Sequence, residues 1–232
     1  MKLDNNELHK LLADKNISLL HHANTIATTI TFIENGGLLS RESVEKSGLY
    51  QTEQSSDEKD KSVGVYNDVF LDSTDLHTYF NRQNKYGPVT FKFSTDFLKN
   101  EDLEIWVTKN NPIYWTQEMT DKEKYFESVE DLRQNWSNYE RQKKMITIRN
   151  PNRPILFPYI DRIVVDNPQV SVSNTGLVYF QQAVEGLKKS YAGNENIRNK
   201  FITRECEGCY CRKNYLQELS IQQLNKLFLP KK

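Results

Sequence analysis

Four places in the chain gather residue types able to do chemistry. His21-His22-Ala23-Asn24 stands where an apolar strand ends, and Gly36-Gly37-Leu38-Leu39-Ser40-Arg41 follows one helix later. An imidazole can hold or exchange a proton near neutral pH, and an arginine at a glycine corner can grip a phosphate through two N–H groups at once. A polar pair at a strand end, a helix and then this corner form a concave unit against which a nucleotide can lie. Taken alone, such a histidine is more often simply satisfied or solvated. Further along, Arg141-Gln142-Lys143-Lys144 runs into the apolar stretch Met145-Ile146-Thr147-Ile148. Near the end, Cys206-Glu207-Gly208-Cys209-Tyr210-Cys211 has the C-x2-C-x-C spacing that can wrap a soft metal. A structural zinc needs four ligands, and the fourth is missing unless His77 or another chain supplies it. Reduced, partly buried thiols are the favoured reading, and no metal site is assigned.

The elements that must position these groups show as periodicity. Residues 4–14 read as a helix with Leu8, Leu11 and Leu12 on one face, and 17–22 as a strand. Asn24 is placed as the cap of a helix through Asn35, with Ile26, Ile30, Phe32 and Ile33 at roughly helical spacing and Gly36-Gly37 as its stop. Residues 51–62 read as a polar, mobile loop without an apolar anchor. The stretch 67–77 carries Asp72, Asp75 and His77 but no spaced second pair for a metal, and reads as a structural corner. Strands are expected over 89–93, 103–107, 145–148 and 160–165. Pro151, Pro154 and Pro158 forbid a helix between the last two. Residues 121–136 pattern as a helix burying Tyr125, Phe126, Val129 and Leu132, and 179–190, 194–203 and 217–228 as three short helices. The class is α+β.

Composition sets the bounds. The 232 residues suffice for one core with a helical extension. Mean hydropathy is −0.73, polar for a globular chain, but 12 Tyr, 11 Phe and 3 Trp argue against disorder. Lys and Arg number 31, as do Asp and Glu, so composition gives no support to a duplex-binding protein with its basic excess. No apolar run approaches bilayer-spanning length, and MKLDNNELHKLLADKN lacks the apolar core of a signal peptide. The expectation is a cytoplasmic protein without a membrane partner. Three clustered cysteines make a disulfide scaffold unexpected. Arg204, Arg212, Lys213 and Lys226 with Tyr210 and Tyr215 make the tail basic and aromatic, which suits single-stranded nucleic acid, an acidic partner or an ordinary solvated helix pair.

Two of these stretches resemble the DarT-type ADP-ribosyltransferase toxins. His22-Ala23-Asn24 stands in the place of a His-x-Thr element, followed by a helix and a Gly-Leu-Leu-Ser corner, and Arg141-Gln142 before a short apolar strand matches an Arg-Gln-x-Glu element. The resemblance covers roughly residues 15–170. It implies an ADP-ribosyltransferase-like fold of split antiparallel sheets with surrounding helices, an NAD-binding domain over 1–178, and a helical extension over 179–232 packed on or beside it. It implies NAD as substrate, with His22 bonded to the ribose beside nicotinamide, Asn24 helping to fix it, Arg41 facing the diphosphate or orienting that ribose, and Gln142 in the site. Tyr79 or Tyr86 would cover the nicotinamide, Tyr86 being assigned. It further implies a nucleic-acid base as acceptor, DNA or RNA, toxin or phage-defence duty and a cognate antitoxin protein.

The catalytic glutamate's place holds Lys144. A carboxylate stabilises the positive charge that develops on ribose as nicotinamide leaves, and an ammonium opposes it. Three explanations stand: an inactivating substitution, which is favoured; a shifted register, with Glu140, Asp161 or Asp166 as the acid; or a relative that binds a nucleotide without turnover. An RNA 2′-phosphotransferase is a rival that needs no glutamate and would use Lys144, Arg141, Arg149 and Arg41 on a 2′-phosphate. A non-catalytic nucleotide-binding module is the other.

Overall fold

A computed structural model of the chain describes residues 1–80, 82–138, 144–172 and 176–231. The amino-terminal helix α1 (Asn5–Asp14) starts at Asp4, whose carboxylate accepts from the Glu7 amide, and buries Leu8, Leu11 and Leu12. Strand β1 (Leu19–Asn24) follows, then α2 (Ile26–Glu34). The cap of α2 is Thr25 rather than Asn24, because the Asn24 amide is held within β1 by His22. Helix α3 (Arg41–Lys46) is capped by Ser40. The stretch read as a mobile loop contains α4 (Asp57–Ser62), and its anchor is ionic instead of apolar: Asp57 is buried against Arg41.

Strand β2 (Val69–Asp72) overturns the corner reading of 67–77. Only four residues long and ending in an aspartate, it shows too little alternation to register as a strand, yet it lies in the middle of the sheet. After the one-turn helix α5 (Leu76–Tyr79) come β3 (Val89–Ser94) and β4 (Ile105–Val107). The helix expected over 121–136 is two, α6 (Asp121–Lys124) and α7 (Val129–Gln134), each with its own cap. The expected stripe of Tyr125, Phe126, Val129 and Leu132 is buried all the same. Strands β5 (Met145–Ile148) and β6 (Ile160–Asn167) lie where expected, and β7 (Ser171–Val172) and β8 (Leu177–Val178) form a separate ribbon.

The tail comprises α8 (Tyr179–Ser190), α9 (Glu195–Arg198), β9 (Phe201–Glu205), α10 (Tyr210–Lys213) and α11 (Ile221–Phe228). The stretch read as one helix over 194–203 is therefore a helical turn followed by a strand. Phe201-Ile202-Thr203 is β-branched and aromatic, and it pairs in parallel with β6.

The main sheet has the order β4-β5-β2-β1-β3-β6-β9, with every pairing antiparallel except β6–β9. This is the expected α+β architecture, with one addition: the tail supplies the edge strand. One face carries Leu20, Leu71, Phe91, Phe93, Ile146 and Ile163, which share one buried core with residues of α1, α2 and α8. The other carries His21, Lys92, Thr90 and Arg204, because neighbours along a strand point to opposite faces. β1 and β3 are laddered over six residue pairs, whereas β1 and β2 share one, His21 with Asp72. The sheet opens between β1 and β2 on the side toward Asn24.

Gly87 holds this corner from β3's side. Its φ is +147°, and a Cβ there would overlap the Asn24 carbonyl and the Thr25 amide. Backbone cannot yield as a flexible side chain can. Gly87→Ala is expected to cost roughly 3 kcal/mol or more, read as a fall in the urea midpoint with an unchanged slope.

Candidate functional site

The opening between β1 and β2 leaves ladder groups of β2 in need of partners. His22 supplies one: its Nδ1 lies 2.8 Å from the Phe70 carbonyl oxygen. A carbonyl only accepts, so Nδ1 carries the proton, and in a neutral ring Nε2 is then an acceptor. The Asn24 amide nitrogen lies 2.8 Å from that Nε2 and donates to it. One strand register thus fixes both the tautomer of His22 and the orientation of Asn24. Phe32 of α2 packs across the ring at a centroid distance of 6.1 Å. Burial holds the His22 pKa below its ordinary value; the Phe70 bond opposes this and the Arg41 charge adds to it. His21, on the opposite face, is likewise lowered, chiefly by burial.

Arg41 joins the same neighbourhood through hydroxyls. Thr25 Oγ1 and Thr52 Oγ1 lie 2.7 Å apart, and the Thr52 amide donates to Thr28 Oγ1 at 2.9 Å. Arg41 donates through Nη2 to the Thr52 carbonyl at 3.1 Å and to Asp57 Oδ2 at 2.6 Å, and its Nε pairs with Asp57 Oδ1. The guanidinium expected to face a diphosphate is engaged in a two-point grip on the Asp57 carboxylate. Asp57 lay hidden in a charged run where no periodicity marks one acid above its neighbours. The threonines were equally silent, since a hydroxyl on a helical pattern carries no signal of its partner.

Lys144 immediately precedes β5, and its carbonyl accepts from the Ser73 amide at 2.9 Å. Phe70, the partner of His22, pairs with Thr147 toward the other end of β5, and among the described residues no hydrogen bond or ring contact joins Lys144 to His22. The Lys144 side chain is buried, 4% exposed. Nζ donates to the Asn138 carbonyl at 2.6 Å and lies 5.5 Å from the Phe126 ring centre and 5.8 Å from that of Trp136. Lys144 is therefore not a strand-edge lysine in water but an ammonium held by a carbonyl and two aromatic faces. Gln142, Arg141 and Glu140 lie outside the described residues.

Tyr86 is brought to the Asn24 corner by Gly87, with 38% of its surface exposed. Its hydroxyl end is enclosed and bonded to Asn111, and burial pushes its pKa up to about 12. Tyr79 lies in α5, edge-on to Phe80. Of the alternative acids, Asp161 pairs with Arg162, and Asp166 accepts from Arg204 and contacts His77. A solvent-facing cleft bounded by Glu42, Lys46, Lys61, Tyr66 and Asn150 includes none of His22, Asn24, Arg41 or Lys144.

The His22 arrangement has a pH signature. Its folded-state pKa lies below the unfolded value of 6.5, so the unfolded chain binds more protons as pH falls and stability is lost on the acid side. His22→Gln should lose less stability than the parent between pH 8 and pH 5 by urea unfolding; parallel curves would contradict the buried neutral tautomer. Asp57→Ala leaves the Arg41 charge without its carboxylate in a largely buried place, and should cost about 3 kcal/mol, read from the same measurement at pH 7.

No protein-family profile matches the chain, and no curated protein matches it significantly. Among solved structures, Thermus sp. 2.9 DarT in complex with NAD+ is similar with a TM-score of 0.45 and 13% identity, over 82% of this chain and 94% of that one. Thermosipho africanus DarTG in complex with ADP-ribose is similar with a TM-score of 0.44 and 13% identity, over 80% of this chain. This chain spans about half (49%) of the Thermosipho chain. The likeness is one of chain outline alone.

Proposed function

We propose that the chain is an NAD-binding ADP-ribosyltransferase of the DarT type, and that Lys144 suppresses transfer in this sequence. The observation that carries the reading is the pair His22–Asn24, fixed in tautomer and orientation at the open rung between β1 and β2, with Arg41 tied beside it through Thr25 and Thr52. Both ring nitrogens of His22 are engaged, so a ribose hydroxyl would meet the Asn24 carboxamide or take its place at Nε2. A neutral imidazole there adds no positive charge against a cationic nicotinamide. Arg41 would serve by holding the 51–62 segment against α2, its charge already balanced by Asp57.

The transfer step would break the bond between nicotinamide and ribose and pass ADP-ribose to an acceptor base, with NAD consumed as substrate. Positive charge grows on the ribose as that bond lengthens, and a buried ammonium at Lys144 raises the barrier where a carboxylate would lower it. The acceptor proposed is a base in single-stranded nucleic acid, whose edges are reachable. The tail offers an exposed Tyr210 with the Lys213 ammonium 5.6 Å from its ring centre, a stacking surface with a cation. Toxin duty, a cognate antitoxin and a cytoplasmic setting belong to the same reading.

The phosphotransferase rival needs basic groups converging on a 2′-phosphate. Arg41 grips Asp57, Arg149 pairs with Asp68 at 3.1 Å and lies against Trp106, and Lys144 is held by the Asn138 carbonyl. That dispersal counts against a 2′-phosphate site, and the NAD reading stands instead on the His22–Asn24 pair.

Parent protein should bind NAD by calorimetry and release little nicotinamide. Lys144→Glu, checked for folding by circular dichroism, should release nicotinamide at least about 10²-fold faster, whereas Lys144→Gln should not. Absence of NAD binding by parent and variants alike would refute the NAD reading, and binding with no gain in folded Lys144→Glu would refute the assignment of that position.

A further inference from the structure

We propose that His77, Cys206, Cys209 and Cys211 form a structural zinc site that fastens the tail to the sheet. The four donors come from two distant parts of the chain, with His77 and Cys209 separated by 132 positions. Their ligand atoms all lie within 4.8 Å of one another, and His77 Nε2 is 4.0 Å from Cys209 Sγ. Three thiolates at about 2.3 Å and one imidazole at about 2.0 Å around tetrahedral zinc put neighbouring ligand atoms about 3.5 to 3.8 Å apart. To reach that geometry the Cys209 and Cys211 sulfurs separate and the other donors close in. Cys206, Cys211 and His77 are buried, with Cys209 partly so.

The imidazole is set up as a ligand. His77 Nδ1 lies 3.0 Å from Asp166 Oδ2, and Asp166 is 1% exposed. A carboxylate takes the Nδ1 proton's bond and turns the Nε2 lone pair toward the thiols, the arrangement that orients histidines at zinc. Asp166 is itself fixed by Arg204 Nε at 2.8 Å and by the Tyr215 hydroxyl at 3.4 Å. Arg204 also reaches Asp75, the residue that caps α5 and so places His77. Three thiolates, one neutral imidazole and Zn2+ carry one net negative charge, which the guanidinium opposes.

The cysteine side is equally organised. The Cys206 amide continues the β6–β9 ladder by donating to the Asn167 carbonyl at 3.1 Å. Gly208, at φ +77°, turns the chain so that the Cys209 amide donates back to the Cys206 carbonyl at 3.3 Å. Cys211 follows in α10, and its Sγ meets that of Cys209 as in a disulfide, with the Cys206 thiol free. A Cys209–Cys211 disulfide would account for two of the four donors; a metal accounts for all four and for the Asp166–His77 bond behind them. On binding, three thiols release three protons and form three Zn–S bonds, with no change of oxidation state. A soft set of three sulfurs and one nitrogen in a closed tetrahedron selects zinc in a structural role and leaves no open position for a substrate.

The test is metal analysis and intact mass of the full chain purified without chelator or reductant. About one zinc per chain is expected, together with tetrahedral thiolate–cobalt absorption after exchange with Co2+. Cys206→Ser and His77→Ala should lose the metal. Should either fail to fold, Asp166→Asn, which keeps the shape, should weaken zinc roughly 10- to 100-fold in a chelator competition. Substoichiometric metal with a mass two hydrogens short would establish the Cys209–Cys211 disulfide and overturn the proposal. Iron in place of zinc, or three freely titrating thiols, would overturn it as well.

Discussion

The open rung between β1 and β2 governs the whole neighbourhood of the candidate site. A sheet held by continuous ladders has no room for a polar side chain between its strands, and a strand that leaves its neighbour strands buried carbonyls. The imidazole of His22 resolves both by taking the Phe70 carbonyl as its acceptor while staying neutral under burial. Because Nδ1 must then donate, Nε2 must accept, and Asn24 is turned to meet it. Thr25, immediately next, caps α2 and touches Thr52, which in turn receives Arg41. The end of β1, the start of α2 and the corner at Arg41 are thus linked through neighbouring hydrogen bonds.

Balance of buried charge is the second organising fact. The chain has equal numbers of acids and bases, and several cations are inside with dedicated partners: Arg41 with Asp57, Arg149 with Asp68, and Arg204 with Asp75 and Asp166. Lys144 is buried too, donating to the Asn138 carbonyl and lying over two rings. Such pairs are weak evidence of stability, but removing one partner is costly because the other charge remains buried. They fix the positions of loops that have little apolar surface, the 51–62 segment above all. Asp68 shows the cost of this arrangement: burial pushes its pKa up to about 7 even with Arg149 beside it.

Much was legible where periodicity and punctuation were strong. The amphipathic α1 and α8, the β-branched β5 and β6 and the prolines between them all lie as the pattern requires. Four errors share a cause. β2 is too short and too acidic to alternate visibly, and α4 is anchored by an ion pair instead of a leucine. The 121–136 stretch is broken by local caps, and β9 follows a helical turn with no glycine or proline to announce it. In each the deciding interaction is one that periodicity does not record.

The same division separates the two chemical clusters. Sequence was enough to gather His22, Asn24 and Arg41 around one strand–helix–corner unit, because a single short stretch joins them and its geometry is local. It was enough, too, to show that three cysteines share a turn and that a lysine stands ahead of β5. The folded chain was needed to show that Asp57 takes Arg41 and that Lys144 is enclosed by Phe126 and Trp136. It was needed also to bring His77 to the cysteines across 132 positions, with Asp166 behind it. Local spacing fixes which side chains share a face, but the partner of a charge or a lone pair is chosen by sheet order, which brings α5 and the end of β9 to the same place.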